Sequence, residues 1–360
     1  MGAALTAALA LALGVTTAPS SFAQPPPAAL PRTEVPIREV MLSDGARRYA
    51  VRITVGASSF EAGLDTGSAG LRVLPGALAP GDAVKGGLLK ADSYSYGSGT
   101  MLSGRVSSGD LRIGALTANI DLQLVDQISC TRSAPDCPVA HLPIAQYGVQ
   151  GDGLPGEGFR AILGVNMADA ELPTPLAAIG ARRWIVELPR PSENKPGRLI
   201  LNPTDEETAR FVMLPISPEY AAMQGGLHDA VLGCLVNPAT KAKACGLVML
   251  DTGAPGIRVH DSDSDLKPWP QGAQAALTFY ASPTQPVLGE TFTIDDRVHA
   301  SHLQFETSPR PNRTVIFAGI NPYLAFDVLY DPAHQRIGLA PRADEGLWPK
   351  VIVLKAGGGT

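Results

Sequence analysis

Two aspartates in matching surroundings are the residues of this 360-residue chain best suited to chemistry. Asp65 opens the phrase Asp65-Thr66-Gly67-Ser68-Ala69-Gly70-Leu71-Arg72-Val73. Asp251 opens Asp251-Thr252-Gly253-Ala254-Pro255-Gly256-Ile257-Arg258-Val259, identical to the first at six of nine positions. Two carboxylates brought together cannot both ionise cheaply, so they hold one proton between them and present a base beside an acid. The ionised partner can draw a proton from a water lodged between them. That water can attack a carbonyl while the protonated partner donates to the developing oxyanion. Such chemistry needs no metal, no cofactor and no covalent intermediate, and the acid and base roles belong to the pair. Gly67 and Gly253 let the backbone approach the carboxylates, where amide N–H groups can donate. Ser68 can donate to Asp65, whereas Ala254 offers Asp251 no hydroxyl, and one donor fewer raises a carboxyl pKa.

Both phrases must be carried at strand ends. Each follows an apolar run, Phe60 to Leu64 in one case and Leu247 to Leu250 in the other. A repeat so far apart predicts two related halves. Arg48 to Val55 turns through residues 56–59 into the first aspartate, as a hairpin would. Ser93 to Thr100 carries Gly97 and Gly99 in a Ser/Tyr setting and predicts a hairpin tip. Val106 to Ile113, Leu116 to Val125, Phe159 to Val165, Trp184 to Leu188 and Arg198 to Leu201 predict further strands, with a long polar loop over 126–158 and a short helix over 175–180. The second half repeats the order: a Cys-bearing hairpin over 232–248, the second aspartate, strands between Ala275 and Phe305, Val315 to Phe317, and a closing pair at Asp327 to Tyr330 and Arg336 to Ala340. Abundant Gly and Pro, few aromatics and no long amphipathic pattern make the chain mostly β.

Composition narrows the partners. A formal net charge of −5 and the lack of any basic run argue against nucleic acid. Residues 1–23 read as a secretory signal, with an apolar stretch from Ala3 to Val15 and small residues before Gln24. The stretch is too short to span a bilayer comfortably, so no membrane association is expected after cleavage. The four cysteines, Cys130, Cys137, Cys234 and Cys245, predict disulfides in an exported chain. Three connectivities are possible, and pairing within each close pair is the most economical. Asp261, Asp263 and Asp265 resemble the start of a calcium loop, but Leu266 replaces the required Gly, so a solvated turn is expected. Residues 24–34 predict a proline-rich linker, and a polar break at 193–197 predicts a boundary between 35–195 and 196–345, followed by a tail over 346–360.

At this point the residues resemble the pepsin-like, bilobal aspartic peptidases, family A1, in a bacterial form. Beside the two Asp-Thr-Gly phrases, Tyr96-Gly97-Ser98-Gly99 is similar to the family's flap, the hairpin that folds over substrate. Ile162-Leu163-Gly164 resembles the segment that crosses behind the first active loop, and Phe317-Ala318-Gly319 its counterpart. Asp327 to Asp331 and Arg336 to Pro341 resemble its C-terminal strand pair. The resemblance implies an all-β fold of two pseudo-symmetric, barrel-like lobes with a cleft between them, and a monomeric secreted or periplasmic endopeptidase that takes an extended peptide or protein. It implies Asp65 and Asp251 as the catalytic pair, Thr66 and Thr252 bonding across the lobes, and Tyr96, Gly97 and Ser98 against substrate. The missing donor at Ala254 then predicts an acidic limb of activity displaced upward. Where the family places a Trp beneath the flap Tyr, this chain has Arg72, with Arg258 at the matching second position. Arginines satisfying loop carbonyls at the surface are the plainer reading of both. A pepsin-fold binding or inhibitor protein without catalysis is the alternative to the enzyme, and Arg72 is the feature that favours it.

Overall fold

The computed structural model describes residues 30–41, 46–79, 90–137, 139–140, 159–168, 170–190, 195–217, 229–261, 268–295, 300–308, 313–343 and 349–354. The expected signal over 1–23, most of the linker, residues 141–158 of the expected loop, Asp263 and Asp265 within 262–267, and the last six residues lie outside these.

The fold is all-β, and the described strands form two sheets. The order of elements begins β1 (Thr33–Met41), β2 (Arg47–Val55), β3 (Ser58–Asp65), β4 (Ala69–Val73), β5 (Ala91–Ser95), β6 (Thr100–Ile113) and β7 (Leu116–Cys130). It continues with β8 (Ala161–Val165), helix α1 (Pro175–Ala178), β9 (Trp184–Glu187), β10 (Gly197–Leu201), helix α2 (Asp205–Thr208) and β11 (Val212–Pro215). The rest are β12 (Val231–Val236), β13 (Lys243–Leu250), β14 (Ile257–Asp261), β15 (Gln274–Ser282), β16 (Gln285–Thr293), β17 (Leu303–Thr307), β18 (Val315–Gly319), helix α3 (Asn321–Ala325), β19 (Phe326–Asp331), β20 (Arg336–Pro341) and β21 (Lys350–Val353). Strand text predicted from alternation falls on these strands because each buries one face: β12 reads in–out along Val231, Gly233 and Leu235. The helices are four or five residues long and finish turns between strands.

The thirteen-stranded sheet runs β11-β20-β19-β9-β10-β1-β2-β3-β8-β4-β7-β6-β5. It crosses the boundary expected at 195/196, because β10 pairs with β1 and β9, and β19 pairs with β9. The eight-stranded sheet runs β17-β14-β18-β13-β12-β15-β16-β21. Three further expectations change. Thr33 and Glu34, expected at the end of the linker, open β1 and pair with Leu201 and Ile200 of β10. β7 continues to Cys130 through its pairing with β6, which shortens the loop expected from 126. Part of the expected tail, Lys350–Val353, is a strand paired with β16.

One local arrangement occurs twice. β3 pairs parallel with β8, β4 pairs antiparallel with β8, and β4 pairs parallel with β7. Likewise β13 pairs parallel with β18, β14 antiparallel with β18, and β14 parallel with β17. Each repeated phrase is thus the loop and outgoing strand of a pair that straddles a central strand. Gly164 and Gly319 end the crossings. A Cβ at Gly164 would stand 2.8 Å from the Ser68 and Gly70 carbonyl oxygens, and one at Gly319, whose φ is +60°, 2.8 Å from Ala254 O. Larger residues would push the two loops off their central strands.

Most of the core is aliphatic, but Glu290 of β16 faces inward between Leu288 and Phe292 with no exposed surface. Neither carboxylate oxygen has a hydrogen-bond partner among the described residues. Burial therefore raises its pKa well above the usual range and keeps it protonated. In the unfolded chain it ionises at the ordinary value. Its contribution is intact below that value and is lost as pH climbs from there towards the folded pKa. Glu290→Gln removes this slope. The variant is predicted to match the wild type near pH 4 and to exceed it at pH 7 by on the order of 1 kcal/mol or more in denaturant unfolding. Equal pH dependence in both proteins would contradict the assignment.

Candidate active site

The two phrases meet at their tips. Thr66 N–H donates to Thr252 Oγ1 at 3.0 Å, and Thr252 N–H donates to Thr66 Oγ1 at 2.9 Å. Each hydroxyl then donates across to the strand that feeds the opposite aspartate, Thr66 to Leu250 O at 3.0 Å and Thr252 to Leu64 O at 2.6 Å. Both threonines are fully buried. The lock is reciprocal: each loop supplies what the other lacks.

This lock turns the aspartates towards each other. A Cβ at Gly67 would fall 2.5 Å from Asp251 Oδ1 and 2.6 Å from its Oδ2. A Cβ at Gly253 would fall 2.8 Å from Asp65 Oδ1 and 3.0 Å from Asp251 Oδ1, so both oxygens crowd one point. The glycines are thus required by the approach of the carboxylates as well as by their N–H groups. Gly67 N–H donates to Asp65 Oδ1 and Gly253 N–H to Asp251 Oδ1, each at 2.8 Å.

Beyond these the pair is unequal. Ser68 donates to Asp65 Oδ2 at 2.5 Å, while the Ala254 side chain has nothing to donate to Asp251. Protein crowded around the Asp251 carboxyl raises its pKa, the neighbouring Asp65 charge raises it further, and the Gly253 N–H and then the Arg48 charge pull the other way. These surroundings raise the proton affinity of Asp251, while the titration itself belongs to the pair. Such a pair can hold a base, an acid and a small nucleophile within one hydrogen-bonded space.

The hairpin of β5 and β6 lies over this pair. Tyr96 N–H donates to Thr100 O at 2.8 Å and Gly99 N–H to Tyr96 O at 2.9 Å, closing the turn through Gly97 and Ser98, both exposed. Gly99, at φ +85°, packs on Ala134 inside the Cys130–Cys137 loop. Tyr94 and Tyr96 stand close enough to the dyad for the Asp65 charge to raise both their pKa values, after burial, the larger cause. The Tyr96 hydroxyl is buried near Ser68 but is not aligned for a hydrogen bond with it.

The two disulfides are Cys130–Cys137 and Cys234–Cys245, the local pairing. Arg72 departs from expectation. It satisfies loop carbonyls, but it is buried, with 3% exposure, rather than at the surface.

Protein-family models and curated protein sequences give no match to this chain.

Sequence reasoning missed the supports behind the lock. Tyr323, in α3, lies 2.8 Å from Thr66 Oγ1, and Tyr330 OH lies 2.5 Å from Tyr323 OH. Tyr330 stacks on Trp184 with ring centroids 5.8 Å apart, which ties the first loop to strands β19 and β9 of the larger sheet. Asn166 and Asn321 are buried just behind the crossings, and Asn166 Oδ1 accepts from Ala168 N–H at 2.6 Å. A signal existed: Gly164-Val165-Asn166 and Gly319-Ile320-Asn321 repeat the order Gly, β-branched, Asn.

Thr252→Val keeps the shape but removes the hydroxyl that accepts from Thr66 N–H and donates to Leu64 O. It is predicted to cost about 1–3 kcal/mol in equilibrium unfolding, while Thr252→Ser costs less than half as much. Equal losses for the two variants would show that packing rather than hydrogen bonding fixes the loops.

Proposed function

We propose that this protein is an exported aspartic endopeptidase of the pepsin-like kind, with Asp65 and Asp251 hydrolysing peptide bonds through a water held between them. The observation that carries this reading is the reciprocal threonine lock, which sets two carboxyl groups against each other's glycines. Asp65, holding the Ser68 and Gly67 donors, is the base that takes the proton of the attacking water. Asp251, protonated, donates to the carbonyl oxygen as it gains charge. As the C–N bond of the tetrahedral gem-diol breaks, the proton taken by Asp65 passes to the leaving nitrogen and one hydroxyl returns a proton to Asp251, which restores the pair. The repeated strand arrangement supports two pseudo-symmetric lobes with the dyad at their junction, and the hairpin of β5 and β6 supports the flap. An extended peptide lies beneath it and pairs by its main chain. The leader-like residues 1–23 and two disulfides favour a secreted or periplasmic setting. Among the described residues no helix is long and apolar enough to cross a membrane. The non-catalytic binding protein is favoured by one observation alone, the orphaned Tyr96 hydroxyl beside Arg72.

Loss of the higher of the two protons ends activity on the alkaline side, and the raised pKa of Asp251 lifts that step. The missing donor at Ala254 therefore displaces the alkaline limb upward, rather than the acidic limb expected from the sequence.

Incubated with a denatured protein across acidic to neutral pH, the mature chain is expected to cleave it and to be stopped by a pepstatin-type inhibitor. Asp65→Asn and Asp251→Asn are each predicted to lower kcat by about 10³-fold or more. Cleavage untouched by both variants would assign it to a contaminant, and no cleavage at any pH would favour the binding reading. Ala254→Thr, by adding a donor to Asp251, is predicted to move the alkaline limb of kcat/KM downward; an unmoved limb contradicts the assignment of the proton.

A further inference from the structure

The eighth position of each repeated phrase is an arginine, and both arginines reach the same hairpin. Arg72, on β4, donates from Nη1 to Ala69 O at 2.6 Å and to Gly70 O at 3.4 Å. Those bonds hold its guanidinium flat against Tyr94, 3.6 Å from the ring centroid. Tyr94 meets Tyr96 edge-on, with centroids 5.0 Å apart. Arg258, on β14, comes from the other side. Its Nη1 donates to Gly97 O at 3.2 Å, at the hairpin tip, and a Cβ at Gly97 would stand 3.8 Å from the same nitrogen. Its Nε lies 3.1 Å from Glu306 Oε1 on β17. His260 Nε2 stands 3.1 Å from the other oxygen of Glu306, without hydrogen-bond alignment.

These contacts do more than satisfy loop carbonyls. Satisfaction accounts for Arg72 Nη1, but not for the stacking on Tyr94, nor for a second arginine that reaches out of its own phrase to a carbonyl 161 residues away. The two grips also differ in kind. The Arg72 grip is buried, and a cation over an aromatic face gains strength when water is excluded. The Arg258 grip is a single bond at an exposed position, made by a side chain whose other edge is held by a carboxylate. Arg258 belongs to the strand leaving the Asp251 loop, and Gly97 belongs to the hairpin over the dyad. A segment lying beneath the hairpin passes under this bond, so the bond must open for it to arrive by the side and can close behind it.

We infer that Arg72 and Arg258 are positioning residues for the hairpin over Asp65 and Asp251: Arg72 pins strand β5 through Tyr94, and Arg258 latches the tip through the Gly97 carbonyl. This rests on the peptidase reading for its kinetic consequence, though not for the latch itself. Amide hydrogen exchange of residues 91–100 in the free, full chain tests the latch without any substrate. Arg258→Gln is expected to speed exchange there about tenfold, leaving β12 and β13 unchanged, with Arg258→Lys, which keeps a donor, in between. Tyr94→Leu, which leaves buried Arg72 in place, is expected to speed exchange at Tyr96 and Gly99 by a similar factor. In steady-state cleavage and inhibitor-binding kinetics, Arg258→Gln is expected to raise the association rate of a pepstatin-type peptide about threefold and to lower kcat about tenfold. Unchanged exchange in Arg258→Gln and Tyr94→Leu overturns the clamp. Faster exchange with unchanged association and kcat overturns the positioning role. A protein that neither cleaves nor binds the peptide fails the peptidase reading, while the exchange result still decides the clamp.

Discussion

The exchange of hydrogen bonds between Thr66 and Thr252 is the constraint on which the site depends. Two carboxyl groups held together in a crowded space repel when both are charged, and each is poorly hydrated. Left to themselves the loops would separate until water could reach both acids. The lock opposes this with four bonds that leave neither threonine hydroxyl nor either loop N–H unsatisfied. Each such bond contributes about 0.5–1.5 kcal/mol net, but breaking one in the interior exposes the full desolvation cost of its partner. The lock is therefore stiffer than the sum of its bonds.

Close approach is the second condition. The carboxylates face each other only because Gly67 and Gly253 present no side chain, and the loops sit on their central strands only because Gly164 and Gly319 end the crossings. Behind the first loop, the run from Thr66 through Tyr323 and Tyr330 to Trp184 ties the lock to strands β9 and β19 of the larger sheet. The second loop has no equivalent tyrosine chain among the described residues. Its Thr252 is held by Thr66 across the junction, while its backbone is held to its own crossing by Ile320 N–H on Ala254 O at 3.1 Å and Asp251 N–H on Gly319 O at 3.3 Å.

Much of this was legible in the chain because it is written in short, local patterns. The aspartate phrases, the Gly97–Gly99 turn and the alternating strands announce themselves within a few residues, and the paired cysteines needed only proximity. What stayed hidden depends on distant partners. Nothing near Tyr323 marks it as a support for Thr66, since the two are 257 residues apart. Nothing near Gly197 says that β10 joins the sheet of the first half, nor that Lys350–Val353 finds an edge at β16. Arg72 was visible in the repeat as the partner of Arg258, but its burial is set by Tyr94 arriving from another hairpin. The repeated Gly-x-Asn after each crossing could have been read, and its meaning appears only when the crossing strands are seen behind the loops.

A duplicated frame gives two equivalent acids, and equivalent acids make a poor catalyst because neither has a fixed role. Here the frame is duplicated and its surroundings are not. Ser68 stands where the second copy has Ala254, and Tyr323 backs Thr66 alone. One arginine is buried beneath the hairpin while the other reaches its tip from outside. These differences leave the strands and the threonine lock symmetric, so the geometry of approach is unaffected. They act on the charge state, where the pKa of Asp251 is raised, and on access, where the hairpin is pinned on one side and latched on the other. Symmetry in the backbone sets where the two acids are, and asymmetry in the side chains around them sets what each one does.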